Sequence, residues 1–207
     1  MTTAFNAVNA VSEASLYVDP PKVEGTTYIP PQTFTVSVLV ANVTSLRALR
    51  FNMSFSPEIL GILSLFLGAL EYSPSPNWQI DGQVGFLWFE VSYNIPISTE
   101  SPIAVANVTF IIRGRGATPL DLHDTSMSNT DGQPISHTIG DGYFKNFDPY
   151  DLNFDGKIDI DDLTIVALAF GSFPGHPRWN PSADVNKDGI VDITDLVLVA
   201  TRFGEGV

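Results

Sequence analysis

The sequence predicts a mainly β protein with a small α part: a β-sandwich or jelly roll, followed by a pair of loop–helix units. Three observations predict it. Residues 15–144 carry short β-branched and aromatic runs in which apolar and polar residues alternate. Gly, Pro, Asn and Asp clusters punctuate those runs, and no helical period of useful length appears between them beyond a turn at "SPEIL". The remaining C-terminal stretch repeats one acidic unit at a spacing of 33 residues.

Each strand follows from a period of two. "TFTVSVLV" places Phe34, Val36, Val38 and Val40 on one face. "LRFNMSF" sets Phe51, Met53 and Phe55 against Arg50, Asn52 and Ser54, and "VGFLWFEV" and "VANVTFII" continue the alternation. Turns are expected at "PSPN", "DGQ", "RGRG", "TDGQP" and "GDG". Many short strands with this punctuation argue for two packed sheets. The longest apolar run, "ILGILSLFLGAL" at 59–70, has 12 residues, too few for a membrane-spanning helix, and is read as sandwich core. Alternating aromatics such as Phe86 and Trp88 are read as core as well.

"FKNFDPY" marks the boundary. The expected divisions are an N-terminal extension at 1–14, read as a strand that packs on a neighbour, a sandwich at 15–144, a linker at 145–150 and a loop–helix domain at 151–207. Within that last domain Asp151, Asn153, Asp155, Gly156, Asp159 and Asp162 recur as Asp184, Asn186, Asp188, Gly189, Asp192 and Asp195. Leu163, Val166, Phe170 and Gly171 recur as Leu196, Val199, Phe203 and Gly204.

The repeated loops have the chemistry of a calcium site. Calcium takes six to eight hard oxygen ligands. Side chains at loop positions 1, 3 and 5 converge on the ion, glycine at 6 makes the turn, and position 7 lends its carbonyl. Position 9 acts through water and a carboxylate at 12 closes the shell. Asp151, Asn153, Asp155, Lys157 (by its carbonyl), Asp159 and Asp162 fill these places in the first loop. Asp184, Asn186, Asp188, Ile190 (by its carbonyl), Asp192 and Asp195 fill them in the second. Magnesium fits less well, because it demands octahedral geometry and keeps its waters. Pro149 and Pro181 sit just ahead of the loops and stop an entering helix from forming.

A duplicated loop–helix unit with Asp at position 12 resembles a type I dockerin over residues 148–206. The resemblance implies two calcium ions that hold the fold, and a cohesin as partner. Dockerin-like recognition positions fall on Ile160, Asp161, Ala167, Leu168, Ser172 and on Ile193, Thr194, Ala200, Thr201, Glu205. These are more apolar than the Ser/Thr and Lys/Arg of familiar cellulosomal dockerins. The helices "LTIVALAF" and "LVLVATRF" are apolar nearly all round, more than a module of this size buries alone, so one face is expected to meet a partner. Residues 14–144 are similar to cohesins, on "TFTVSVLVANVTSLRALRFNMSFSPEILGILSLFLG", "SPIAVANVTFIIRGRGATPLDL" and "GDGYF".

A chain with both modules can bind its own kind. A link of about seven residues spans at most roughly 25 Å, so docking onto the next molecule is easier than docking in cis. That contact is heterologous and makes an open chain unless its rotation closes a ring. The expectation is therefore a calcium-dependent, extracellular or cell-surface homopolymer. The alternatives are an adaptor for other cohesin- or dockerin-bearing proteins, and a carbohydrate-binding adhesin with Trp78, Trp88, Tyr72 and Tyr93 as a sugar platform.

Composition sets the exclusions. A net charge of −13 argues against nucleic acid as partner. The absence of cysteine excludes disulfides, thiol catalysis and Cys-ligated metals. "MTTAFNAVNAVSEAS" lacks the basic and apolar regions of a secretory leader, so either that route is unused or this is a mature form. Sequons at Asn42, Asn52 and Asn107 are candidate glycosylation sites. His123, His137 and His176 have no metal spacing, Glu58 and Glu90 have nothing to bring them together as a glycosidase pair, and no nucleophile or nucleotide motif is present, so no enzyme is expected.

Overall fold

The structure is a computed structural model and describes residues 13–205. The extension expected at 1–14 lies, up to residue 12, outside the described residues. The chain divides into two compact units. Among the described residues, one holds 13–23, 33–111 and 118–144, and the other holds 24–32, 112–117 and 145–205.

The strands are β1 (Ala14–Asp19), β2 (Lys22–Gly25), β3 (Thr33–Ala41), β4 (Val43–Ser54), β5 (Leu60–Leu67), β6 (Pro74–Asp81), β7 (Phe86–Thr99), β8 (Ile103–Ile112), β9 (Gly116–Asn129), β10 (His137–Gly140) and β11 (Gly142–Asn146). They form a five-stranded sheet, β10-β1-β3-β8-β5, and a six-stranded sheet, β2-β11-β9-β4-β7-β6. β1 runs antiparallel to β3 and parallel to β10. Phe34, Val36, Val38 and Val40 are buried, as their period requires, and so are Phe51, Met53 and Phe55. Phe34 stacks on Phe110 at 5.4 Å between ring centroids, and Phe51 stacks on Phe89 at 5.0 Å. Each fully buried side chain of this kind contributes about 1.5–3 kcal/mol.

Three expectations fail in this unit. "PSPN" is not a turn: residues 74–77 open β6 and pair with β7, as an edge strand tolerates proline. The run 59–70 is not all core: it forms β5, which ends its sheet, and Leu63 and Phe66 are 59% and 64% exposed. An edge strand has a sheet neighbour on one side only, so part of its apolar surface stays open. Phe86 and Trp88 are not core either. Leu87, Phe89 and Val91 take the inner face of β7, so the alternation puts Phe86 and Trp88 half-buried on the outer face. At the end of β5, Gly68 donates to the Val105 carbonyl at 3.1 Å, and a Cβ there would stand 1.9 Å from the Ala104 oxygen. Only glycine permits that approach.

The second unit contains two helices, α1 (Ile160–Ala169) and α2 (Ile193–Ala200). Among the described residues no helix leads directly into either loop. Leu152, Ile158, Val166, Ala169, Ala183, Val191 and Val199 form its core, with Trp179 packed against them. The repeats interlock. Ile158 donates to the Glu205 carbonyl and accepts from Gly204 N–H, while Val191 donates to the Ser172 carbonyl and accepts from Gly171 N–H. Each loop is thus stapled to the segment that follows the other loop's helix. Residues 145–150 are held as well. Asn146 accepts from Gly116 N–H and donates to the Tyr28 and Gly114 carbonyls, and Arg115 pairs with the buried Asp148 at 2.9 Å. Among the described residues no helix is long and apolar enough to cross a membrane.

Candidate functional site: paired acidic loops

The loops are shaped by their own carboxylates. Asp151 Oδ1 accepts from Asp155 N–H at 3.2 Å and Oδ2 from Gly156 N–H at 3.0 Å. Asn153 Oδ1 accepts from Asp155 N–H at 3.0 Å, and Asp155 Oδ1 from Lys157 N–H at 2.9 Å. Asp162 Oδ1 accepts from Leu152 N–H at 2.7 Å and Asn153 N–H at 3.3 Å, and its Oδ2 accepts from Asp159 N–H at 2.8 Å. The second loop repeats every one of these bonds on Asp184, Asn186, Asp188 and Asp195. The tight path explains the backbone: Gly156 and Gly189 lie at φ 89° and 92°, where glycine is at ease.

Positions 9 and 12 also start the helices. Asp159 caps α1 and accepts from Asp161 N–H, while Asp162 closes a reciprocal capping box; Asp192 and Asp195 do the same for α2. That second role was readable from the Asp-x-x-Asp spacing ahead of each apolar run.

The electrostatics call for a cation. Asp162 and Asp195 are fully buried, and Asp151 and Asp184 nearly so. No lysine or arginine among the described residues pairs with any of the four. Burial, more than the neighbouring Asp162 charge, holds the Asp151 carboxyl above the usual carboxylate range. The donor set is all oxygen, which suits a hard divalent ion. Among the described residues no three acidic or histidine side chains converge as a metal cluster by themselves. An ion here therefore also needs the Asn153 or Asn186 oxygen and the carbonyl of Lys157 or Ile190. The residues present fit calcium on those terms.

The recognition positions sit around these loops. Ile160, Asp161, Ala167, Leu168, Ile193, Thr194, Ala200, Thr201 and Glu205 are all exposed, with Leu168 at 68%. Ser172 is the exception: it is fully buried and its hydroxyl lacks a hydrogen-bond partner. Its backbone joins the staple to Val191, which draws the side chain inward.

On the sandwich unit, the outer face of β4, β7 and β9 carries an open cleft of about 430 Å³ lined by Arg50, Asn52, Trp88, Asp124 and Thr125. Asn52 Nδ2 donates to Asp124 Oδ2 at 3.0 Å, while its Oδ1 is enclosed without a partner. The sequence places Asn52 on the polar face of its strand and marks it as a sequon, but does not predict this grouping, which depends on the pairing of Asn52 with Trp88 and His123 across strands. Asn42, Asn52 and Asn107 are all half-buried, and Asn107 Oδ1 accepts from Ser37 Oγ. The four aromatics of the supposed sugar platform do not come together. Gln79 pairs with Trp88, so the adjacent Trp78 points to the opposite face, and Tyr93 is buried. Glu58 and Glu90 are both exposed, and His123, His137 and His176 are each hydrogen-bonded, to Ser54, to Thr125 and to Arg178 N–H.

The model of the type I dockerin domain family matches residues 149–204. No curated protein matches the chain. Solved structures match the sandwich at low identity. A non-cellulosomal cohesin from the archaeon Archaeoglobus fulgidus is 16% identical with a TM-score of 0.56, over 66% of this chain and 92% of that one. A type II cohesin domain from the cellulosome of Acetivibrio cellulolyticus is 15% identical with a TM-score of 0.53, over 64% and 95%. A chain of a type I cohesin–dockerin complex from Clostridium thermocellum is 12% identical with a TM-score of 0.53, over 65% and 95%. Type I dockerin domains typically bind calcium and are non-catalytic modules of protein–protein interaction, which sets the coarse function here. The chain is therefore a β-sandwich of the cohesin fold joined to a type I dockerin domain at residues 149–204.

Proposed function

We propose that this protein is a non-enzymatic, extracellular structural subunit that assembles head to tail, the dockerin domain of one copy seated on the sandwich of the next. The observation that carries this reading is that one chain holds both halves of an interaction that solved cohesin–dockerin complexes form between separate chains. The recognition positions support it, because all but Ser172 are exposed and several are apolar. On the receiving side, the cleft with Trp88, Arg50 and the unpartnered Asn52 oxygen is the surface we assign to the contact. Two calcium ions, held by the residues named for the two loops, lock the dockerin domain into its binding shape.

Negative-stain electron microscopy and light scattering on the purified protein test this, first in excess calcium and then in chelator. Filaments that disperse in chelator and return with calcium are expected. A monodisperse monomer in both conditions overturns self-assembly and leaves an adaptor for other cohesin- or dockerin-bearing proteins.

A further inference from the structure

The "RGRG" turn between β8 and β9 supplies a side chain to the first acidic loop. Arg115 places Nε 2.9 Å from Asp148 Oδ2 and donates from Nη1 to the Phe147 carbonyl at 3.1 Å. Asp148 is 4% exposed, and its other oxygen accepts from Tyr150 N–H at 2.9 Å. Its carbonyl accepts at 3.3 Å from the N–H of Asp151, the first ligand position of the loop. Phe147 stands 4.7 Å, ring to ring, from Phe154, the fourth position of the same loop. All these residues belong to the second unit. The first loop is thus gripped at two places by residues that lie outside the duplicated stretch. The second loop lacks that grip. The positions 33 residues beyond Phe147, Asp148 and Phe154 are Asn180, Pro181 and Lys187, which supply neither the carboxylate nor the rings. Asn180 instead accepts from Ser182 N–H. The ligand positions and the bonds that shape the two loops match one for one, so the clamp is what sets them apart.

We propose that Arg115 is a positioning residue for the first calcium site alone, and that calcium in that loop and the turn at 112–117 stabilise one another. The proposal rests on the calcium reading of the loops and not on assembly. A ligand loop that must order itself around an ion loses affinity to conformational entropy, and a loop held in shape beforehand does not. Here Asp148 fixes the chain where it enters the loop, and Arg115 fixes Asp148. The ion pair matters for charge as well. Arg115 borders a small cavity of about 110 Å³ together with Asp151, Phe154 and Gly156. An unpaired guanidinium there would oppose a divalent cation, and Asp148 neutralises it. Coupling of this kind is reciprocal: what Arg115 adds to calcium affinity, calcium adds to the hold on the turn.

Calorimetric titration of the full chain with calcium reads each loop when the other is disabled, the second by Asp188→Ala or the first by Asp155→Ala. Arg115→Gln should weaken binding roughly tenfold in the Asp188→Ala background and leave it unchanged in the Asp155→Ala background. A general loss of stability would weaken both loops, because they share one core. Equal weakening of the two, or none, overturns the proposal. An unsubstituted chain that binds no calcium overturns the calcium reading and this proposal with it, whatever the filaments do. A second measurement leaves Arg115 intact, so it holds even if the glutamine variant fails to fold. Gly116 N–H donates to Asn146 Oδ1 at 2.7 Å inside the clamped turn. Its hydrogen exchange, followed by NMR, should slow about fivefold or more with calcium in the wild type and in Asp188→Ala. In Asp155→Ala it should not respond. A response that follows the second loop, or none in any variant, overturns the coupling.

Discussion

Asp162 has two tasks that one pair of substitutions separates. Its carboxylate, fully buried, accepts two short bonds from Leu152 and Asp159 N–H and a longer one from Asn153 N–H. Bonds to a charged acceptor contribute about 1.5–3 kcal/mol each, so Asp162→Ala should cost roughly 3–6 kcal/mol for the two short ones, with or without metal. Asp155, at loop position 5, is exposed and has only local bonds, to Lys157 N–H and the Asn153 amide. Asp155→Ala should therefore change little in chelator. In calcium at a hundredfold excess over Kd, each variant also forfeits about 2.7 kcal/mol of ligand-linked stability. The assay is denaturant unfolding followed by the helical circular dichroism signal, for wild type and both variants, in calcium and in chelator. An Asp155→Ala loss that is the same in both media would refute metal ligation. An Asp162→Ala loss no larger than that of Asp155→Ala in chelator would refute the capping argument. A wild-type midpoint indifferent to calcium would refute both loops as calcium sites.

Other positions make separate claims. Leu168→Asp, at a 68% exposed site, should leave the melting curve of the dockerin domain unchanged and abolish filaments by electron microscopy. Asn146→Ala removes three part-buried hydrogen bonds and should destabilise the second unit by about 2–4 kcal/mol in chemical denaturation. Tyr93→Phe removes a buried hydroxyl that has no partner and whose ionisation burial pushes above its ordinary range, so it should be neutral or stabilise by about 1 kcal/mol. The raised Asp151 pKa implies a pH effect in chelator. Its contribution favours the fold below the unfolded carboxylate pKa and is lost as pH rises through the folded value, so chelated protein should unfold more readily at neutral than at mildly acidic pH, and calcium should erase the difference.

Much of this was legible because local patterns decided it. The period of two fixed the inner faces of β3 and β4, and the 33-residue repeat fixed both loops with every ligand candidate in register. What escaped depended on which strands became neighbours. The run 59–70 is as apolar as any core strand, and nothing within it says that β5 ends its sheet. Trp78 and Trp88 lie close in sequence terms and invite pairing, yet the register of β6 against β7 sends them to opposite faces. Ser172 occupies a recognition position by counting, but its backbone staple to Val191 turns it inward. The Asn146 clamp joins residues more than 100 positions apart, which no periodicity reports.

If assembly requires calcium, the ion has two ways to act on so acidic a chain, and the two must be told apart. With a net charge of −13, neighbouring copies repel, and any divalent cation lowers that repulsion whether or not it enters a loop. Screening of this kind is general: the Debye length falls from ~10 Å at 0.1 M salt to ~3 Å at 1 M. If counterion screening drives assembly, magnesium at equal ionic strength, or concentrated sodium chloride, should give filaments as readily as calcium. If calcium acts by locking the loops, neither should replace it, since magnesium keeps its waters and an octahedral shell that six or more mixed carboxylate, amide and carbonyl oxygens do not provide. High salt should then speed growth only after calcium is present. Asp155→Ala with Asp188→Ala sharpens the contrast: it lowers the negative charge, which screening says must favour assembly, and it removes a ligand from each loop, which locking says must abolish it.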